Sequence, residues 1–356
     1  MVIVLGIEST AHTFGIGIVE NGKVLANVKK TYTTEKGGII PIDAAKHHKE
    51  YKEEVYNKAL RKSKIKEEDI NAIAVSIGPG LPPCLLEGLR KAKELCTKLG
   101  LPIIPVNHCI AHLEIGKTLN VKDPVMLYAS GANTQIIAYS SNKYRIFGET
   151  LDVGVGNFID NFARYLKIGF PGGPKIEKLA KNGKNYIELP YKVKGMDISL
   201  SGILTNLKQK IDSKKYNKED LAYSMQENVF AMLVEVSERA LAHTEKKELL
   251  LGGGVGCNLR LQEMCKIMCE ERGAKFFAPS NNLLQDNGAM IAFLGEIMFN
   301  AKNSVKNFGA AKSETAPTRR QSNDFVGKGI KFSGKELDKI DIKPRERTDE
   351  VEVKWK

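Results

Sequence analysis

The sequence predicts an α/β protein made of two duplicated units, each a mixed sheet covered by helices. Two observations carry that prediction. The first is an internal repeat at an offset of about 120 residues. Residues 2–10 lead into residues 14–19, a turn at Asn21-Gly22 and a third strand over residues 24–28. Residues 124–128 then lead into the turn 130–134, a strand over 135–139, a polar turn over 140–143 and a strand over 144–147. Each copy joins three strands through turns rich in Gly, Ser and Thr, which makes an antiparallel meander. The second observation is the change of period that follows. Residues 46–62 and 84–99 place apolar side chains at helical spacing, and Ala72-Ile73-Ala74-Val75-Ser76 between them is a short apolar run suited to a buried parallel strand.

Composition sets the outer limits. A chain of 356 residues exceeds one ordinary core and predicts two domains, over residues 1–122 and 123–279, with residues 280–356 packing back on the first. No apolar run approaches the roughly 20 residues that span a bilayer, and the start lacks a basic n-region and cleavage site, so a cytoplasmic protein with no membrane partner is expected. The six cysteines form no CxxC pair, which argues against a zinc ribbon or a disulfide framework. A net charge of +12 favours a polyanionic partner, although the lysines are spread along the chain rather than clustered. The polar stretch over residues 303–338 reads as a flexible loop, a candidate to face RNA.

Within this frame, Asn107-His108-Cys109-Ile110-Ala111-His112-Leu113-Glu114 sets two imidazoles four residues apart, on one face of a helix, as a two-ligand metal grip. Its chemistry requires further ligands elsewhere. The turns offer a different capacity. Thr10, Thr13, Ser130, Asn133 and Thr134 supply hydroxyl or amide donors, and Gly131 lets backbone approach an oxyanion closely. Such residues populate any hairpin turn, but two equivalent turns are joined by a third element, Leu250-Leu251-Gly252-Gly253-Gly254-Val255-Gly256-Cys257-Asn258. That element runs from strand through a glycine-rich turn into a helix over residues 259–269, which suits a nucleotide lying against backbone. The spacing lacks G-x-G-x-x-G, and Asn258 is expected to meet a base or ribose rather than pyrophosphate.

Duplicated units with such turns resemble the actin, hexokinase and Hsp70 (ASKHA) superfamily, which implies two ribonuclease-H-like domains around a nucleotide cleft. A closer resemblance covers nearly the whole chain. Gly6-Ile7-Glu8-Ser9-Thr10-Ala11-His12-Thr13, the histidine helix, Leu127-Tyr128-Ala129-Ser130-Gly131-Ala132-Asn133-Thr134-Gln135, Phe170-Pro171-Gly172-Gly173-Pro174, Lys194-Gly195-Met196-Asp197, Asp286-Asn287-Gly288-Ala289-Met290 and Arg347-Thr348-Asp349-Glu350-Val351-Glu352-Val353 occur in order. Together they resemble the universal tRNA N6-adenosine threonylcarbamoyltransferase family in its archaeal and eukaryotic branch, the catalytic subunit of the KEOPS complex.

The resemblance implies one metal per chain, iron or zinc, held by His108, His112, Tyr128 and Asp286, where a lone Asp before Asn-Gly would otherwise read as a helix cap. It also implies an adenylate nucleotide bound by Tyr128, Ser130, Gly131, Ala132, Asn133, Asp160, Gly173, Glu177, Gly254 and Asn258, with Thr10 and Thr13 in a phosphate turn. The implied reaction moves a threonylcarbamoyl group from threonylcarbamoyl-adenylate to N6 of the adenosine 3′ of the anticodon in tRNAs reading ANN codons, releasing AMP. No side chain serves as covalent nucleophile. Glu8 is an acidic position that orients water or a cation, and His47 and His48 match a segment near the cleft, or else lie on a helix surface. The implied partners are tRNA and accessory subunits, including a separate small kinase. Departures occur at Ala132 and at Gly256-Cys257, where the family has glycine and two alanines, and at Pro82 and Leu86, where it has glycine and arginine. An ATPase or sugar kinase of the same fold is the alternative. A metallopeptidase is disfavoured, because the chain has no HExxH and Glu114 lies beyond His112 rather than between the ligands.

Overall fold

The computed structural model describes residues 1–34, 38–307 and 337–356. It resolves into two compact units, Met1–Thr31 with Pro41–Glu114 and Asn287–Lys356, and Tyr32–Ile40 with Ile115–Asp286. Most of the expected loop over 303–338 lies outside the described residues.

In the first unit β1 (Ile3–Glu8), β2 (Thr13–Glu20) and β3 (Lys23–Thr31) form the meander. Helix α1 (Pro41–Ser63) leads to β4 (Ala72–Gly78), and α2 (Pro82–Leu99) leads to β5 (Ile103–Asn107) and the short α3 (His108–Glu114). The sheet order is β3-β2-β1-β4-β5, with β1, β4 and β5 parallel. Both long helices start earlier than the periodicity suggests. Pro41 opens α1, while Pro82 and Pro83 occupy the first positions of α2, where a missing N–H costs nothing and a fixed φ favours the helix. One face of the sheet packs on α1 and α2 through Leu5, Ile7, Phe14, Ile16, Val55 and Leu89.

The second unit repeats the plan. Strands β6 (Val125–Ala129), β7 (Thr134–Ser140) and β8 (Lys143–Glu149) form its meander. Next come α4 (Val155–Tyr165), α5 (Gly173–Ala180), the two-residue strands β9 (Val193–Lys194) and β10 (Asp197–Ile198), α6 (Ser201–Asp212) and α7 (Lys218–Thr244). The unit ends with β11 (Glu248–Gly252), α8 (Leu259–Glu271), β12 (Lys275–Phe277) and α9 (Asn281–Leu284). Its main sheet runs β12-β11-β6-β7-β8, and β6, β11 and β12 are parallel. Read from the meander outward, β8-β7-β6-β11-β12 matches β3-β2-β1-β4-β5, so the repeat in the sequence is a repeat of topology.

Helix α7 is the longest helix described, and its period hides it. Leu221, Ala222, Ser224, Met225, Gln226, Asn228, Val229 and Phe230 are all buried, so no single apolar stripe marks it.

The chain then rejoins the first unit through α10 (Gly288–Asn307). This helix lies against the sheet backbone. A Cβ on Gly6 would come within 2.1 Å of Ala292 N, and one on Gly17 within 2.2 Å of Ala289 N, so only glycine admits the approach. The start of α10 is thereby fixed beside the β1–β2 pair.

Candidate metal centre and anion cradle

The first unit gathers titratable side chains where its parallel strands end, the place at which open α/β sheets bind ligands. Strand β5 stops at Asn107, whose Oδ1 accepts from Ile110 N at 3.2 Å and caps α3. His108 and His112 then project from one face of α3, with ring centroids 4.8 Å apart and planes at 82°. They are 4% and 1% exposed.

Glu8 ends β1 and is wholly buried. Its Oε2 lies 2.9 Å from His108 Nδ1, and its Oε1 accepts from Thr10 N at 2.6 Å and Thr10 Oγ1 at 2.5 Å. A carboxylate only accepts, so a proton on His108 Nδ1 would donate to Glu8 and leave Nε2 free to bind a ligand. Glu8 is thus placed to orient the His108 ring.

Asp286 is the last residue of the second unit and is peptide-bonded to the first residue of α10's cap, Asn287. Asn287 Oδ1 accepts from Met290 N at 3.0 Å, so the capping role belongs to Asn287 and not to Asp286. Ligand atoms of His108, His112 and Asp286 lie within 4.8 Å of one another. Two imidazoles and a carboxylate form a borderline donor set with positions left open, and a carboxylate behind one imidazole is the support that metal-bound histidines use. The residues present fit a zinc or iron ion. Asn107 ahead of the ligand-bearing α3, and Asn287 just after Asp286, were readable cap signals that sequence reasoning passed over.

Thr10 and Thr13 do not form an open phosphate turn. Both are buried; the Thr10 hydroxyl is spent on Glu8, and that of Thr13 lies 3.4 Å from Thr31 Oγ1. Nor is His48 a surface residue of α1. It is wholly buried, its Nε2–H donates to Ala11 O at 3.0 Å, and burial, with help from the neighbouring His47, lowers its pKa to about 4.

The second unit presents a different surface. Tyr128, 1% exposed, is penultimate in β6 and pairs with Gly252 of β11. The turn after β6 is anchored by α4: Gly156 N donates to Ser130 O and Asn157 N to Gly131 O, each at 2.9 Å, and Val155 N donates to Thr134 Oγ1 at 2.8 Å. Ser130 N donates to Asn133 O at 3.0 Å, which closes the turn and leaves Gly131 and Ala132 exposed. Gly253 packs so closely that its Cβ would lie 2.4 Å from Ala129 O, which brings the glycine-rich loop alongside this turn.

Asp160 on α4 accepts from Gly172 N at 2.7 Å and ties down the start of α5. Glu177 on α5 accepts from Leu259 N at 3.2 Å, at the start of α8. Asn258 caps α8: its Oδ1 accepts from Arg260 N and Leu261 N, and its Nδ2 donates to Gln226 Oε1 at 2.9 Å, which holds the loop shape. A Cβ on Gly173 or Gly254 would meet nothing within 4 Å, and neither residue has a positive φ. With no packing or conformational demand for glycine, what glycine leaves there is open backbone. The second unit thus leaves backbone open at Gly131, Ala132, Gly173 and Gly254, the positions expected to meet a nucleotide.

Among the described residues no helix is long and apolar enough to cross a membrane. Structural neighbours show the fold: HypF of T. kodakarensis superposes with a TM-score of 0.61 at 15% identity, over 84% of this chain and 47% of that one. Component A of (R)-2-hydroxyglutaryl-CoA dehydratase from Acidaminococcus fermentans gives 0.51 at 14% identity, over 83% and 97%. Both match the ASKHA-like plan of two related mixed sheets. Sequence relatives are nearer. A tRNA N6-adenosine threonylcarbamoyltransferase of Thermococcus kodakarensis is 53% identical over 353 residues, 99% of each chain. A probable bifunctional tRNA threonylcarbamoyladenosine biosynthesis protein of Methanosarcina mazei is 52% identical over 307 residues, 85% of this chain and 56% of that one. The family model for tRNA N6-adenosine threonylcarbamoyltransferase (TsaD) matches residues 23–293, and the chain belongs to that family.

Proposed function

We propose that this tRNA N6-adenosine threonylcarbamoyltransferase uses threonylcarbamoyl-adenylate as donor and the adenosine 3′ of the anticodon, in tRNAs reading ANN codons, as acceptor. N6 attacks the carbamoyl carbon, the new C–N bond replaces the C–O bond to phosphate, N6 loses a proton and AMP leaves. The single observation behind this reading is the convergence of His108, His112 and Asp286 with Glu8 on His108 Nδ1.

In this reading His108 Nε2, His112, Asp286 and Tyr128 hold one iron or zinc ion. When bound, such an ion polarises a carbonyl and neutralises charge on a leaving phosphate. The protein's own part is to hold and orient. Glu8 keeps the His108 proton on Nδ1. Gly131, Ala132, Asn133, Gly173 and Gly254 offer backbone to the adenylate, Asp160 and Glu177 serve its ribose, and Asn258 holds the loop shape beneath the base. Accessory subunits of the KEOPS type, a small kinase among them, work with the chain in the cytoplasm; the bifunctional name of the Methanosarcina mazei relative supports a coupled second activity.

The test combines the purified chain and candidate accessory subunits with threonylcarbamoyl-adenylate and unmodified tRNA. Nucleoside analysis is expected to find threonylcarbamoyladenosine and an equal amount of AMP. A phosphorylated acceptor with ADP would instead support a kinase.

A further inference from the structure

Helix α3 has seven residues, well below the length at which a helix holds itself together in water, yet it carries two of the candidate ligands. Its direction must be set from outside. Both of its ends are tied to the C-terminal segment. At the start, Asn107 uses Oδ1 to cap the helix while its Nδ2 donates to Glu346 Oε2 at 3.0 Å. At the end, the wholly buried Glu114 accepts from the indole N–H of Trp355 at 2.9 Å.

The segment that supplies these two contacts is itself held in register on the exit of β4. Lys343 N donates to Ile77 O at 2.7 Å, and Gly80 N donates to Pro344 O at 3.1 Å. Val351 and Trp355 line one groove with Ile110 of α3 and with Leu294 and Met298 of α10. The tail therefore spans the three elements that surround the histidine pair. Glu114 ends the helix two residues past His112, so a contact there anchors the end of α3 next to His112.

We propose that the C-terminal segment is a clamp that sets the placement of His108 and His112 through Glu346 and Trp355, making Trp355 a positioning residue for metal binding. This inference rests on the metal reading of His108, His112 and Asp286. The chain contains one tryptophan, so indole fluorescence reports the clamp directly.

The experiment measures Zn²⁺ affinity of the metal-free full-length protein by competition with a chromogenic chelator, alongside indole emission and thermal melting. Trp355→Phe and Glu114→Ala are each expected to lower zinc affinity about tenfold, the low end for loss of a group that orients a ligand. The double variant should lose no more than either single one, because both remove the same contact. Glu114→Gln should retain affinity, since its amide oxygen still accepts from the indole. Glu346→Ala tests the other end of α3 independently, with a loss expected there too. Zinc should shift the wild-type indole emission, and Glu114→Ala should abolish that shift. Variants that melt earlier but bind zinc as the wild type does would overturn the clamp and leave the metal reading intact. A wild type that takes up no zinc would overturn the metal reading and the clamp with it.

Discussion

Strands β1, β4 and β5 occupy the same places in the first unit as β6, β11 and β12 do in the second, but the two sets of strand ends carry opposite chemistry. In the first unit the ends hold Glu8, His108 and His112, all buried, with Glu8 hydrogen-bonded to His108 and the two imidazole rings edge to face. In the second they hold exposed Gly131, Ala132 and Gly254, with the polar side chains drawn back into caps and helix ties. One scaffold thus supplies a dry ligand cluster and an open cradle. The difference lies at the strand ends, because those positions are relieved of the packing that the sheet interiors demand.

The contrast can be broken at either end, and the effects should rank by how much of the dry cluster is lost. His108→Ala or His112→Ala is expected to abolish metal uptake and to slow transfer about a thousandfold, equivalent to roughly 4 kcal/mol of charge stabilisation. Elemental analysis and single-turnover tRNA modification would check both losses.

The dryness of the first unit should also appear in its pH response. His48 has its pKa lowered to about 4 in the folded chain, chiefly by burial, against about 6.5 when unfolded. The folded state therefore binds fewer protons than the unfolded state between these values. The stabilisation is fully present above pH 6.5 and is lost as pH falls towards 4, by about 3 kcal/mol at most. Denaturant melts at pH 7.5, 6 and 4.5 should show this slope in the wild type and a flatter one in His48→Gln. Equal slopes would mean that another group sets the acid sensitivity.

Glu8→Ala leaves the ligands in place but frees the His108 ring. About a ten- to hundredfold loss of metal affinity is expected, with the cradle unaffected. The smallest effect belongs to the open side. Gly254→Val puts side chain into empty space, so melting should not change, while KM for the adenylate donor should rise about tenfold, or roughly 1.4 kcal/mol. A fall in stability without a change in KM would show that Gly254 serves packing rather than ligand access.

Legibility in the sequence followed the same divide. The repeated meanders could be read because alternation and turn residues are local signals, and the histidine pair because its two members share one turn of helix. The Trp355–Glu114 and Asn107–Glu346 contacts span 241 and 239 residues of chain, and no local pattern encodes them. The protein contacts of Thr10 and Asn258 were hidden for a related reason. A hydroxyl or amide at a turn serves a ligand or a neighbouring backbone equally well, and only the fold reveals Glu8 beside one and the α8 start beside the other.

His108, His112 and Asp286 are proposed to hold a metal required for transfer to tRNA. The most direct measurement is metal content of the wild type and His108→Ala, each assayed for threonylcarbamoyladenosine formation before and after chelation. About one ion per wild-type chain is expected, with activity lost with the ion and restored with it, and neither ion nor activity in the variant. A wild type that modifies tRNA fully without metal would contradict it.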